Sequence, residues 1–350
     1  MIKILKLLLY PFAALYNLAT RIRNYLYDIG HKPSFQFDTT VIVVGNLNVG
    51  GSGKTPMVEY LIQLLRKTNK LATLSRGYKR DTQGYRAAEN IDTARSIGDE
   101  PFQLFRKFGN EVKVVVGEDR VFAIPNMLQE FPETNVILLD DALQNRSIKP
   151  QLSILVTECS HPFYEDFVMP FGRLREARSG AKRSDIIVVT KCKENISQQE
   201  TTSIQHKIQQ YTGPKPVFFS GIRYKDPEPI GSQNSISKNV ILVTGIAKTG
   251  PLKEFCISNY KLLKHFNYTD HHPYSLKDMK EIETFCKSLK ETFSILTTEK
   301  DMVKLLSPEF KPYLEMLPWF YLPIEQFFIE DGLKFDELVV QAVKATAETN

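Results

Sequence analysis

Val41-Ile-Val-Val-Gly-Asn-Leu-Asn-Val-Gly-Gly-Ser-Gly-Lys-Thr55 is the stretch that decides the fold. Four β-branched residues in a row predict a buried strand over Val41–Val44. A glycine-rich turn follows and closes on Gly53-Lys54-Thr55. Glycines let backbone N–H groups curl around an anion, and the next helix points its positive dipole end at the same place. The run therefore reads as a phosphate-binding loop built from Asn48, Val49, Gly50, Gly51, Ser52, Gly53, Lys54 and Thr55. Lys54 is expected to reach the β/γ-phosphates of a nucleotide, and the Thr55 hydroxyl to hold Mg2+. The strict pattern has a glycine where this chain has Asn48, a residue type that tolerates the left-handed conformation.

Outward from the loop, strand and helix patterns alternate. Strands are expected at Val41–Val44, Leu71–Leu74, Val112–Val116, Val136–Leu139, Leu152–Thr157 and Ile186–Thr190. Helices are expected at Pro56–Lys67, Pro101–Phe108, Arg120–Glu130 and Ser197–Tyr211. Such an order implies an α/β chain with a mostly parallel sheet, helices on both faces and ligands beyond the carboxyl ends of the strands. After Gly213-Pro214-Lys215-Pro216 a second series begins. Its strands are Val217–Phe219, Val240–Thr244, Leu262–Tyr268 and Ser294–Thr297, and its helices Gly250–Ser258, Leu276–Leu289 and Phe335–Thr346. Residues 226–238, rich in Pro, Ser and Asn, are expected to form a loop. The division that follows is an N-terminal helix over 1–30, a P-loop core over 31–200 and a second, smaller α/β lobe over 201–350.

Met1–Ala19 is almost continuously apolar, interrupted by Lys3, Lys6, Pro11 and Asn17 and followed by Arg21 and Arg23. A full span needs roughly 20 apolar residues. An interfacial helix or short anchor meeting anionic headgroups fits better, with a buried capping helix as the competing reading. The net charge of +5 is too mild to imply nucleic acid. Four scattered cysteines lack metal-ligand spacing and read as reduced thiols of a cytosolic protein.

Several short motifs fall at expected strand ends. Val136–Leu139 runs into Asp140-Asp141, an acid pair suited to complete Mg2+ coordination opposite Thr55. Gly98-Asp99-Glu100-Pro101 can be a helix cap or can hold a base for a substrate hydroxyl. Asp270-His271-His272-Pro273 can be a surface turn or a carboxylate-tuned histidine. Thr190-Lys191-Cys192-Lys193 is close to a guanine-reading loop but lacks its aspartate at Lys193, which favours ATP. Ser75–Arg80 and Phe171–Glu176 carry arginines suited to anions.

Taken together, GNLNVGGSGKTP, SRGY, GDEP, DDALQN, RLRE, VVTK, DHHPY and TEKDMVKL resemble, in this order, the tetraacyldisaccharide 4′-kinase family of lipid A biosynthesis. The resemblance covers nearly the whole chain. It implies transfer of the γ-phosphate of ATP, with Mg2+, to the 4′-hydroxyl of a tetraacylated glucosamine disaccharide 1-phosphate. It also implies an inner-membrane protein, peripheral or singly anchored, with its site facing the cytoplasm and no obligate protein partner. By motif, Lys54 and Thr55 become phosphate and Mg2+ ligands, and Asp140 and Asp141 the metal acids with Gln144 beside them. Asp99 becomes the base and His271 the residue that tunes or orients it. Arg76 and Tyr78 match headgroup positions, and Arg120, Arg175 and Glu176 further site positions. Ala142 and Asn145 stand where the family usually has glycine and histidine. A membrane-recruited P-loop ATPase switch and a non-catalytic binder are the alternatives.

Overall fold

The computed structural model describes residues 2–231, 233 and 235–349, with side chains for all of these except 2–8 and 349. Met1 and the side chains of residues 2–8 in the expected N-terminal segment lie outside the described residues, as do Ser232, Asn234 and Asn350.

In chain order the strands are β1 (Thr40–Gly45), β2 (Leu71–Ser75), β3 (Arg86–Ala87), β4 (Val112–Val116), β5 (Val136–Asp140), β6 (Leu152–Glu158), β7 (Ile186–Thr190), β8 (Val217–Tyr224), β9 (Glu228–Pro229), β10 (Asn239–Thr244), β11 (Lys261–Asn267), β12 (Ser294–Thr298), β13 (Trp319–Leu322) and β14 (Ile324–Phe328). The helices are α1 (Ile2–Asp28), α2 (Lys54–Leu65), α3 (Ala94–Ile97), α4 (Asp99–Phe108), α5 (Arg120–Glu130), α6 (Gln198–Thr212), α7 (Gly250–Asn259), α8 (Leu276–Ser288), α9 (Glu299–Leu305), α10 (Lys311–Met316) and α11 (Gly332–Thr349).

Among the described residues, the larger sheet runs β14-β8-β7-β6-β1-β5-β2-β4-β3. It is parallel from β8 to β4, with antiparallel strands at both edges. β1 lies between β5 and β6, where the connections change direction, so the phosphate-binding loop opens at the switch point of the sheet. The continuous β-branched run of β1 is buried on both faces. Ile42 and Val44 meet α2, α4 and α11 through Met57, Leu104 and Phe335. Val41 and Val43 face α5 and α6 through Ile124 and Ile208.

The smaller sheet runs β11-β10-β12-β13-β9, parallel except for β9. α8 covers one face through Met279 and Ile282 against Ile241 and Trp319. α7 covers the other through Leu252 and Cys256 against Leu242 and Phe320.

Four elements depart from the sequence-based division at residue 200. α6 packs Ile204 and Ile208 into the core of the larger sheet. β8 extends the larger sheet beside β7, so Val217–Phe219 belongs with the first lobe. β14 pairs antiparallel with β8, and α11 packs Phe335, Val339 and Val343 into the larger core. The smaller lobe is thus an excursion between two paired strands. Its entry and exit sit side by side, with Tyr224 opposite Ile324 and the Lys225 N–H bonded to the Pro323 carbonyl at 2.9 Å. The expected loop over 226–238 also contributes β9 at the far edge of the smaller sheet.

α1 is a single helix through Pro11. Tyr10, Phe12, Leu15, Leu18, Ile22 and Tyr25 are exposed along it. Among the described residues, no helix is long and apolar enough to cross a membrane.

Candidate active site

The loop 46–53 wraps ahead of α2. Gly53 has φ 88°, and a Cβ there would lie 3.3 Å from Thr190, so only glycine fits without strain. Thr190 closes the loop from β7 by donating its hydroxyl to the Ser52 carbonyl at 2.6 Å, and Lys191 donates to the Gly51 carbonyl. Asn48 does not use the left-handed conformation that its residue type allows. Its side chain instead donates to Asp166 at 2.9 Å, and Asp166 also holds Arg173 at 3.0 Å. No local pattern announces Asp166, which lies far along the chain. Lys54 and Thr55 are the first two residues of α2. The Lys54 ammonium lies 3.3 Å from Asn46 Oδ1 and 3.5 Å from Asp141 Oδ1.

β5 ends on Asp140, which is 2 % exposed, with one carboxylate oxygen lacking any hydrogen-bond partner. Burial, then the charge of Glu100, push this carboxyl up to about 7. A buried acid with an orphaned oxygen is a site that a cation relieves. Asp141 is different. Although burial opposes its charge, Lys54 and Arg175 hold its carboxyl below the usual range. Arg175 Nη1 reaches both of its oxygens, at 2.9 and 2.8 Å. The left-handed turn after β5 falls on Asp141 (φ 51°), not on Ala142, so alanine in place of glycine carries no backbone strain there. Among the described residues no three His, Cys, Asp or Glu side chains converge on a metal position. One acid, the Thr55 hydroxyl and phosphate oxygens are what a P-loop enzyme uses instead.

Gln144 donates to the Asn46 carbonyl at 2.7 Å, and its own side-chain oxygen is buried without a partner. Arg120 opens α5 just after its Asp119 cap. Burial and the nearby Arg76 charge lower the pKa of its guanidinium, and its Nε has no partner. Arg76 and Tyr78 are exposed in the loop after β2. Glu176 is buried. It accepts from Asn24 of α1 at 2.8 Å and from Arg183 at 2.6 Å, tying α1 to the site loop. Tyr16 adds a bond to the Arg175 carbonyl at 2.9 Å.

Asp99 is the first residue of α4, after Gly98 at φ 96°. A Cβ on Gly98 would sit 3.3 Å from the Gly77 backbone, so the SRGY and GDEP loops touch main chain to main chain. His271, at φ 56° in the turn after β11, comes from the smaller lobe. Its Nδ1 lies 3.3 Å from Asp99 Oδ2, and the Tyr78 ring meets the imidazole in a T-shaped contact with centroids 5.9 Å apart. His272 is held away, bonded to Asp278 at 3.1 Å and stacked on Tyr268. Lys300 and Lys304, in the TEKDMVKL motif, also reach this end of the cleft. Lys300 Nζ is 3.0 Å from His271 Nε2, and Lys304 Nζ is 4.0 Å from Asp99.

The two lobes meet along α4 and α9. Ile97, Phe102 and Val116 pack on Val303. Behind them Lys107 of α4 pairs with Glu59 of α2 at 2.6 Å and with Glu299 of α9 at 2.9 Å.

The family profile described as Tetraacyldisaccharide-1-P 4'-kinase matches residues 5–344. A tetraacyldisaccharide 4'-kinase from Flavobacterium johnsoniae is 40% identical, with 99% of each chain covered. One from Bacteroides thetaiotaomicron is 40% identical over 89% of this chain and 87% of its own. Among solved structures, the "apo" form of LpxK from Aquifex aeolicus in complex with ATP aligns with a TM-score of 0.74 at 26% identity, covering 97% of this chain and 99% of that one. With a loop, an acid pair and a two-lobe cleft in these positions, the chain belongs to the tetraacyldisaccharide-1-P 4'-kinase family.

Proposed function

We propose that this chain transfers the γ-phosphate of ATP to the 4′-hydroxyl of a tetraacylated glucosamine disaccharide 1-phosphate, working on the cytoplasmic face of the inner membrane. The observation that carries the reading is the Asp99–His271 contact of 3.3 Å, made by two lobes beside a nucleotide loop. An ATPase switch has no use for a carboxylate–imidazole pair facing an acceptor. Phosphoryl transfer to an alcohol needs its hydroxyl held in line and its proton accepted.

The backbone of residues 48–53 and Lys54 bind the β- and γ-phosphates and spread their charge. Thr55 and Asp140 are the residues suited to hold Mg2+, which when bound neutralises phosphate charge. Lys54 and Arg175 together keep Asp141 ionised, and Arg175 grips its two oxygens. Asp99 takes the proton of the acceptor hydroxyl at Oδ1 or Oδ2 as the oxygen attacks, and His271 orients that carboxylate. Closure of the two lobes over a bound acceptor would exclude water there and disfavour hydrolysis. Arg76, Tyr78 and Arg120 would meet the anionic headgroup, a role supported by the nearness of Arg76 to Arg120 and of Tyr78 to His271. The exposed aromatic and aliphatic face of α1, tied to Arg175 and Glu176, supports docking on a bilayer beside the lipid.

An assay with γ-labelled ATP, Mg2+ and the disaccharide 1-phosphate in detergent micelles tests this. Label should appear on the lipid, and Asp99→Ala should cut transfer by about 10³-fold while ATP affinity holds. Label released only as free phosphate would replace the kinase reading with the ATPase switch.

A further inference from the structure

The segment Thr297–Lys304 binds neither phosphate nor metal in the reading above, yet it reaches the acceptor end through two lysines. Thr298 caps α9 by accepting from the Asp301 N–H at 3.0 Å. Asp301 is fully buried and accepts from the Gly245 N–H at 2.9 Å and from Lys304 at 2.9 Å. The Gly245 carbonyl in turn accepts from the His271 N–H at 3.1 Å. α9 therefore holds the backbone that carries His271, and with it the position of the ring.

On the same helix Lys300 directs its ammonium at His271 Nε2, 3.0 Å away, with Asp270 Oδ1 at 3.7 Å as its counter-charge. An ammonium has three donors and no acceptor. A hydrogen bond from Lys300 to Nε2 therefore requires a lone pair on that nitrogen. The neutral ring must then carry its proton on Nδ1, the atom that faces Asp99 at 3.3 Å. The opposite tautomer would set an N–H against an ammonium on one side and a lone pair against a carboxylate on the other. Both contacts would be repulsive.

We propose that Lys300 is a positioning residue that selects the Nδ1–H tautomer of His271, so that the imidazole donates to Asp99 and leaves its remaining lone pairs to the acceptor hydroxyl. The choice rests on the reading of Asp99 as base, but the tautomer itself does not. His272 has no such arrangement, because its Nε2 is taken by Asp278. Lys304 adds a second positive charge beside Asp99, 4.0 Å from the same Oδ2 that His271 faces.

The full-length chain, labelled with 15N histidine, gives a direct reading, with the His271 signals identified by their loss in His271→Gln. In the parent protein Nε2 should resonate as a pyridine-type nitrogen and Nδ1 as a pyrrole-type one. Lys300→Arg, which is also donor-only, should keep that pattern. Lys300→Met should lose it, giving the other tautomer or a mixture, and lipid phosphorylation should fall about 10²-fold in kcat with ATP affinity unchanged. Lys300→Gln, able to accept as well as donate, should give a mixture and covers the case in which the methionine variant does not fold. A parent protein with Nε2 protonated, or Lys300→Met and Lys300→Gln with the parental tautomer, would overturn the proposal. If the tautomer behaves as expected but no lipid is phosphorylated, the substrate reading falls and the role of Lys300 stands.

Discussion

The two ends of the cleft are built in opposite ways. At the nucleotide end a contiguous run, Asn46–Thr55, makes the loop, and other strands of the same sheet brace it through Thr190 of β7 and Asp141 just after β5. At the acceptor end Asp99 and His271 come from different lobes and meet only because α4 and α9 pack together. The first can bind ATP as a property of one lobe. The second exists only while the seam is closed. A phosphate site within one lobe combined with a base pair between two lobes links chemistry to closure.

This contrast can be broken most directly by comparing Lys54→Ala with His271→Ala. Lys54→Ala should lose about 10²–10³-fold in kcat and much of the affinity for ATP, since it serves the phosphates in both ground and transition states. His271→Ala should lower kcat for lipid phosphorylation and leave ATP affinity alone. If nucleotide titrations show both variants equally weakened, the two ends are one unit and the contrast is wrong.

The seam itself gives a smaller effect. In Lys107→Met, Glu59 and Glu299 lose their shared cation, at a cost of about 2–3 kcal/mol in denaturant unfolding. Burial, then Glu299, already raise the Glu59 carboxyl to about 7. A carboxyl raised on folding contributes its stability at low pH and loses it as pH rises through about 7. The deficit of Lys107→Met should therefore be larger at pH 8 than at pH 5. Lipid phosphorylation should suffer more than ATP binding, because the seam carries Asp99 toward His271.

The smallest expected effect concerns Asp140. Its carboxyl, raised to about 7 by burial and then by Glu100, holds a proton that Mg2+ must displace. The Mg2+ dependence of ATP binding should strengthen by about tenfold per pH unit up to about 7 and level off above it. Glu100→Gln should move that break to lower pH, and His271→Ala should not move it. A break that follows His271 would mean that the acceptor end controls the metal site.

What the sequence disclosed follows the same contrast. β1, the loop and the acids of β5 were legible because their chemistry is local: β-branched runs, glycines and adjacent carboxylates carry their meaning within a few residues. Asp99 and His271 were recognisable only as members of a motif set, since a helix cap and a surface turn explain each of them alone. Gly213-Pro214-Lys215-Pro216 reads as a boundary, whereas it is a turn inside the larger lobe that delivers β8, with Val217–Phe219, to β7. α11 has a helical pattern but nothing in its residues names the core it covers. Glu176 matches a site position by motif, and its ties to Asn24 and Arg183 depend on contacts that no spacing reveals. Lys300 stands in the TEKDMVKL motif, but its target is an imidazole on another element, which no local spacing reveals.

The paired neck of Tyr224 and Ile324 has a consequence for the order in which the chain can mature on the ribosome. β14 closes the edge of the larger sheet beyond β8, and α11 completes the apolar layer under β1. Both are synthesised after the whole smaller lobe. While that lobe emerges, the strand bearing the phosphate loop has one side of its core uncovered by its last helix. Domains usually fold in the order in which they leave the ribosome. Here the first lobe to begin must wait for the second to finish, so nascent chains lack a finished nucleotide site until the acceptor half is already in place.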